Sequence, residues 1–103
     1  MQINPFDILK NAQNLQEKLG NISVTGSSGG GMVEVTLNGR MEVLAVRISR
    51  DALGLQDQGM LEDLTGSAFT NAIEKIRGAI TREMGALAGS LGMFPGFGAP
   101  GAL

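Results

Sequence analysis

The feature that most constrains this fold is a predicted β-hairpin centred on Asn38-Gly39. Apolar residues alternate with other residues on both sides of this dipeptide, as in two strands that bury one face. Asn-Gly favours a two-residue type I′ turn, because both central residues of that turn adopt positive φ. The strands are predicted at about residues 32–37 and 40–48. With this turn, the shared core face would carry Val33, Val35, Leu37, Glu42, Leu44, Val46 and Ile48.

Segments with helical periodicity flank the hairpin. Asn4 as N-cap and Pro5 at the first helical position predict a helix over about residues 5–19. A second apolar stripe predicts a long helix over about residues 60–91, with Glu62 and Asp63 in its first turn. The order of elements therefore indicates an α+β domain.

Three shorter segments complete the prediction. Residues 22–25 alternate as a strand, and the glycine-rich residues 26–31 are predicted to be a flexible connection. Residues 49–59 are predicted to be a polar connection anchored by Leu53 and Leu55. The predicted fold is α-β-β-β-α with a three-stranded antiparallel sheet in one domain, residues 1–91. Residues 92–103, dense in Gly and Pro, are predicted to be a flexible tail.

The composition argues against catalysis. The chain contains no Cys and no His, which removes thiolate metal sites and the commonest general base. Residues 26–31 lead into a strand and lack the Lys of a phosphate-binding loop, so nucleotide binding is not indicated. Glu62 and Asp63 are adjacent, point to different sides of a helix and are better read as N-terminal helix charge. We predict no enzyme, no catalytic residue, no metal and no cofactor.

Other properties bear on location and assembly. Signal-peptide features and an apolar run of about 20 residues are both missing, so we expect a soluble, cytoplasmic protein without a membrane partner. Aromatic residues make up only 4% of the chain, while its apolar stripes are long. A second subunit would supply the missing burial, so we expect a homo-oligomer.

Several strings in collinear order resemble the YbaB/EbfC family of bacterial nucleoid-associated proteins. The matching residues are 12–18 (AQNLQEK), 24–26 (VTG), 30–33 (GGMV), 35–39 (VTLNG), 46–48 (VRI), 60–64 (MLEDL), 68–72 (AFTNA) and 95–97 (PGF). The resemblance implies a homodimer with helical arms that project from a shared sheet like tweezers. It also implies binding of duplex DNA with modest sequence preference, without enzymatic activity or cofactor.

The chain departs from the family pattern in three places. The first helix is shorter than is usual by about seven residues, or two turns. Ser49-Arg50 stands where the family commonly has Asp-Pro, and several glycines stand in the last helix where long or charged side chains are usual.

The candidate DNA contacts are basic residues of the two predicted helices: Lys10, Lys18, Lys75, Arg77 and Arg82. Each phosphate that they neutralise would add a salt-sensitive increment of affinity. A solvated helix face is the alternative, because Glu74 and Glu83 intersperse the basic positions. The net charge of −2 and the pI of about 4.9 do not by themselves indicate nucleic-acid binding.

The predicted function is therefore that of a nucleoid-associated protein, located in the nucleoid, that binds duplex DNA mainly through the backbone. The alternative is a dimeric protein-interaction or assembly factor without intrinsic DNA binding, whose protein partners the sequence does not identify. A salt-dependent affinity for DNA separates the two.

Overall fold

The computed structural model of the 103-residue chain describes residues 4–91. The elements are helix α1 (Pro5–Asn21), strands β1 (Ser23–Ser28), β2 (Val33–Asn38) and β3 (Val43–Ile48), helix α2 (Arg50–Gly54) and helix α3 (Gln58–Leu91). The three strands form an antiparallel sheet in the order β1-β2-β3. The predicted α+β class and α-β-β-β-α order are confirmed, with α2 as an addition. The predicted tail, residues 92–103, lies outside the described residues.

Helix α1 begins as its sequence predicts and is joined to the hairpin at its end. The Asn4 side chain accepts a hydrogen bond from the Phe6 N–H (2.9 Å), and Pro5 occupies the first turn. At the other end, the Gly39 N–H lies within hydrogen-bond distance of the carbonyls of Leu19 (2.8 Å) and Ile22 (3.0 Å). A Cβ at Gly39 would lie 2.5 Å from the Leu19 oxygen, so only glycine permits this approach.

The predicted two-residue turn at Asn38-Gly39 is wrong. The Asn38 N–H donates to the Glu42 carbonyl (3.1 Å), which leaves a three-residue loop, 39–41, whose last residue, Met41, has φ 61°. The Asn38 side chain organises this loop: its Oδ1 accepts from the N–H groups of Arg40 and Glu42, each at 3.0 Å. Asn38 is buried and acts through its side-chain oxygen, without the positive φ that a type I′ turn requires.

The longer loop and a bulge shift the whole pairing of β2 with β3, because a two-residue turn would place Val35 opposite Glu42 and Val33 opposite Leu44. Val35 opposes Val46 and Val33 opposes Ile48, as the shared face requires. A bulge then makes Val43 the residue that opposes Leu37, while Glu42 is bonded to Asn38 at the loop. Glu42 is therefore not part of the core face.

Strand β1 continues beyond its predicted end into the segment predicted to be a flexible connection. Gly26 lies within the strand and is buried against α3, where a Cβ would come 2.2 Å from the Ala72 nitrogen and 2.6 Å from the Ala68 oxygen. The turn is confined to residues 29–32, and its three glycines, 29–31, all have positive φ. Gly26 thus allows the backbone of α3 to pack directly on β1.

The core lies between α3 and the first two strands. Its fully buried members come from β2 and from one face of α3: Val33, Val35, Leu37, Ala68, Ala72 and Ile76. A helix is about 10 Å wide and neighbouring strands are about 4.8 Å apart, so one helix covers two strands. Strand β3 is left largely uncovered.

The segment between β3 and α3 differs from its prediction as a polar connection. Ser49 caps the short helix α2 by accepting from the Ala52 N–H (3.1 Å). Ala52 is the buried residue there, while Leu53 and Leu55, predicted as anchors, are exposed. Asp57 accepts from the Met60 N–H (3.0 Å), so α3 begins at Gln58 and Glu62 and Asp63 lie beyond its first turn.

Helix α3 contains 34 residues, a length of about 50 Å, and its second half leaves the sheet. There it lies beside α1: Lys18 Nζ is 3.9 Å from Glu83 Oε1, and Leu15 and Leu87 line the same cleft. We call α1 together with residues 77–91 of α3 the arm, and the remaining described residues from 22 to 76 the body. Across residues 4–91, no helix combines the length and the hydropathy of a membrane span.

Candidate nucleic-acid interface

Charge is distributed unequally between arm and body. The arm carries four cations and three acids: Lys10, Lys18, Arg77, Arg82, Asp7, Glu17 and Glu83. The body carries four cations and seven acids: Arg40, Arg47, Arg50, Lys75, Glu34, Glu42, Asp51, Asp57, Glu62, Asp63 and Glu74. The arm is therefore net +1 and the body net −3, so the acidity of the chain resides in the body.

Three arm cations are free for a ligand. Lys10, Arg77 and Arg82 are exposed, and within residues 4–91 their side chains make no ion pair and no hydrogen bond. Lys18 is paired with Glu83, but both side chains are more than one-third exposed. A surface pair of this kind contributes at most about 1 kcal/mol, so a phosphate can compete for Lys18.

Lys75 has a different environment from the other predicted contacts. Its Nζ donates to the Thr25 carbonyl of β1 at 3.0 Å, and Asn71, one turn earlier in α3, accepts from the Ser27 N–H at 3.0 Å. The ammonium group therefore lies at the edge of the sheet. Of the five predicted DNA contacts, four lie on the arm and Lys75 lies on the body.

The basic residues of α3 do not share one face. Successive residues of a helix are rotated by about 100°, so Lys75 and Arg82, seven positions apart, differ by about 20°. Arg77 is rotated by about 140° from Arg82 and points to the opposite flank. The arm therefore carries an arginine on each flank of α3.

An acidic cleft runs along the body portion of α3. It is lined by Glu62, Asp63, Gly66, Ser67, Thr70, Asn71 and Glu74. A phosphate backbone would be repelled there, because three carboxylates and no basic side chain line the cleft. This side of the body is therefore electrostatically unfavourable for a nucleic acid.

The sequence prediction missed an exposed apolar surface. We call Val43, Leu44, Val46 and Ile48 the β3 surface; their exposed fractions run from 39% for Ile48 to 54% for Leu44. Leu44, Val46 and Ile48 were predicted to be core, and the strand pairing puts Val46 and Ile48 on the core face. The sequence did contain a signal for this surface. It predicts three strands but only one long helix to cover them, and one helix is too narrow to cover a third strand.

Comparisons with known proteins agree on the family. The model of the YbaB/EbfC DNA-binding family matches residues 7–91. A nucleoid-associated protein from Paramagnetospirillum magneticum is 39% identical, over 94% of this chain and 97% of the relative. Another from Xanthomonas campestris pv. campestris is 44% identical, over 88% of this chain and 84% of the relative.

A solved structure supports the fold. The crystal structure of an uncharacterized protein from Helicobacter pylori superposes with a TM-score of 0.61 at 27% sequence identity. The match covers 79% of this chain and 92% of the Helicobacter chain.

Proposed function

This chain belongs to the YbaB/EbfC DNA-binding family, and we propose that it is a nucleoid-associated protein that binds duplex DNA through the phosphate backbone. The observation that carries this proposal is the separation of charge, with a net positive arm on a net negative body. The family is a DNA-binding family and not a family of enzymes. The relatives named above are nucleoid-associated proteins, and we place this chain in the nucleoid as well.

The arm would bind DNA by neutralising phosphates. Lys10, Arg77 and Arg82 have free side chains, and each contact releases condensed counterions from the duplex. Because Arg77 and Arg82 lie on opposite flanks of α3, a helix placed in a groove would direct one arginine toward each phosphate strand. Phosphate contacts carry little sequence information, so we expect modest sequence preference.

We further propose that the functional unit is a homodimer formed through the β3 surface. Four exposed apolar side chains on one strand form a surface that a second copy could cover. A two-fold axis places the same surface on both subunits, so an apolar strand is self-complementary. Two copies would present two arms to one duplex, and simultaneous engagement would raise the apparent affinity without any new contact.

The alternative function is a dimeric protein-interaction factor without intrinsic DNA binding. The acidic body favours it, because its net charge of −3 suits a basic protein surface better than a nucleic acid.

Fluorescence anisotropy tests the DNA proposal. A labelled duplex of about 35 bp, a little over three helical turns, is titrated with protein between about 50 and 200 mM salt. The variant Arg77→Ala/Arg82→Ala is compared with Arg47→Ala/Arg50→Ala, which removes the same charge from the body. We expect the arm variant to lose affinity and to reduce the log–log salt slope by about one to two per chain, while the body variant retains the wild-type slope.

Two outcomes would contradict this mechanism. Equal losses in both variants would mean that only net charge matters and that the arm is not the site. An absence of binding near 50 mM salt, with folded protein confirmed by circular dichroism, would favour the protein-interaction alternative.

A further inference from the structure

The two edges of the sheet differ in how their backbone groups are satisfied. In an antiparallel sheet, alternate residues of an edge strand direct both N–H and C=O away from the sheet. These unpaired groups can template another strand, which leads to augmentation or aggregation. Each edge therefore has to be paired, covered or otherwise blocked.

Side chains of α3 bond two of the outward backbone groups of β1. The Ser27 N–H donates to Asn71 Oδ1 (3.0 Å), and Lys75 Nζ donates to the Thr25 carbonyl (3.0 Å). Asn71 and Lys75 are one helical turn apart, and Thr25 and Ser27 are the successive outward residues of the strand. The separation of Asn71 and Lys75 along α3 thus matches the separation of Ser27 and Thr25 along β1.

The position of α3 keeps the Asn71 and Lys75 side chains beside the outward groups of β1. Ala72, next to Asn71, packs against Gly26 so closely that no Cβ fits between the two backbones. The Ser28 hydroxyl adds a further contact by donating to the Leu64 carbonyl. The hydrogen bonds of Asn71 and Lys75 therefore do not depend on two flexible surface side chains alone.

Strand β3 has no such cover. The Ser49 N–H donates to the Met32 carbonyl (2.8 Å), which shows that odd-numbered residues here face β2. Val46 and Ile48 consequently direct their backbone groups outward, and among residues 4–91 no group from another element bonds to them. The open edge and the β3 surface belong to the same strand.

We propose that Asn71 and Lys75 act as a strand-edge cap that closes β1 to a second copy of this chain and leaves β3 as the single edge for association. A sheet with two open edges adds copies without limit, whereas a sheet with one open edge closes after two. The cap would thereby set the size of the assembly. This role also separates Lys75 from the arm cations, and it does not depend on DNA binding.

Hydrogen exchange and sedimentation velocity of the full chain test this cap together. In Asn71→Ala/Lys75→Ala, we expect the Ser27 amide to exchange at least about tenfold faster. We also expect a larger species than in the wild type, whose proportion rises with protein concentration. The matched control is Thr70→Ala/Arg82→Ala, which removes one polar residue and one cation from α3 away from the strand edge.

A second variant covers the case in which the double substitution perturbs the helix. Lys75→Met keeps the aliphatic stem and removes only the ammonium donor, and we expect it to associate beyond the wild-type state as well. Wild-type sedimentation in both cap variants would overturn the proposal. Association of the control to the same degree would also overturn it, because a general loss of surface polarity would then be the cause.

Discussion

Val35 and Val46 are cross-strand partners on the same face of the sheet, yet Val35 is fully buried and Val46 is 45% exposed. The difference arises from α3, which packs over β1 and β2 and leaves most of β3 exposed. The two positions carry the same residue type and lie in adjacent strands of one sheet. The comparison teaches that alternation identifies a face that is suited to burial, while the number and width of covering elements decide how much of that face is buried.

The largest effect is expected where α3 meets the covered strands. Gly26→Ala would place a methyl group 2.2 Å from the Ala72 nitrogen, and two backbones would have to separate. We expect a loss of at least about 3 kcal/mol in the free energy of unfolding, measured by urea denaturation. Stability within about 0.5 kcal/mol of wild type would mean that helix and strand are not packed at this distance.

The next largest effect concerns the uncovered strand. Val46→Asp places a charge in the β3 surface without disturbing the buried core, so we expect a folded protein whose self-association weakens by at least about a hundredfold. Sedimentation equilibrium measures the dissociation constant, and circular dichroism verifies the fold. An unchanged dissociation constant would exclude the β3 surface as the dimer interface.

A matched pair of truncations compares the two strands directly. Val35→Ala should lower the free energy of unfolding by about 2 kcal/mol, because it leaves a cavity in the core. Val46→Ala, measured below the dissociation constant of the dimer, should change it by less than about 0.5 kcal/mol. Equal losses at that concentration would indicate that β3 is covered within a single chain.

The smallest effect has the opposite sign. Gly66 lies within α3 on an exposed face, and a Cβ there would meet no atom within 4 Å. Gly66→Ala should raise the free energy of unfolding by about 0.5–1 kcal/mol, because alanine loses less backbone entropy in a helix. Because the same substitution is made at Gly26, the two variants separate intrinsic helix propensity from packing. Destabilisation by Gly66→Ala would show that this face of α3 is covered.

Prediction from sequence succeeded where the controlling interactions are local. Asn4 and Pro5 mark the start of α1 because a cap acts on the N–H of a residue two positions away. The hairpin was predicted, but its turn type was not, because Asn38 also acts through a buried side-chain oxygen that bonds Arg40 and Glu42. A dipeptide preference does not include that competing role.

The candidate site was predicted in part for the same reason. The basic residues of the arm follow from the sequence once two helices are identified. Their positions relative to the acidic cleft do not, because this arrangement depends on how α1 lies beside α3. The DNA contacts themselves remain a prediction.

The sequence by itself determined the three strands, the two long helices, their order and the absence of Cys and His chemistry, since periodicity, capping and composition act over a few residues. Only the tertiary structure decided that Gly26 is a packing site, that β3 is uncovered and that Lys75 lies at a strand edge. Lys75 and Thr25 are 50 residues apart in the chain. A contact at that separation depends on where α3 lies on the sheet, and no local pattern encodes that position.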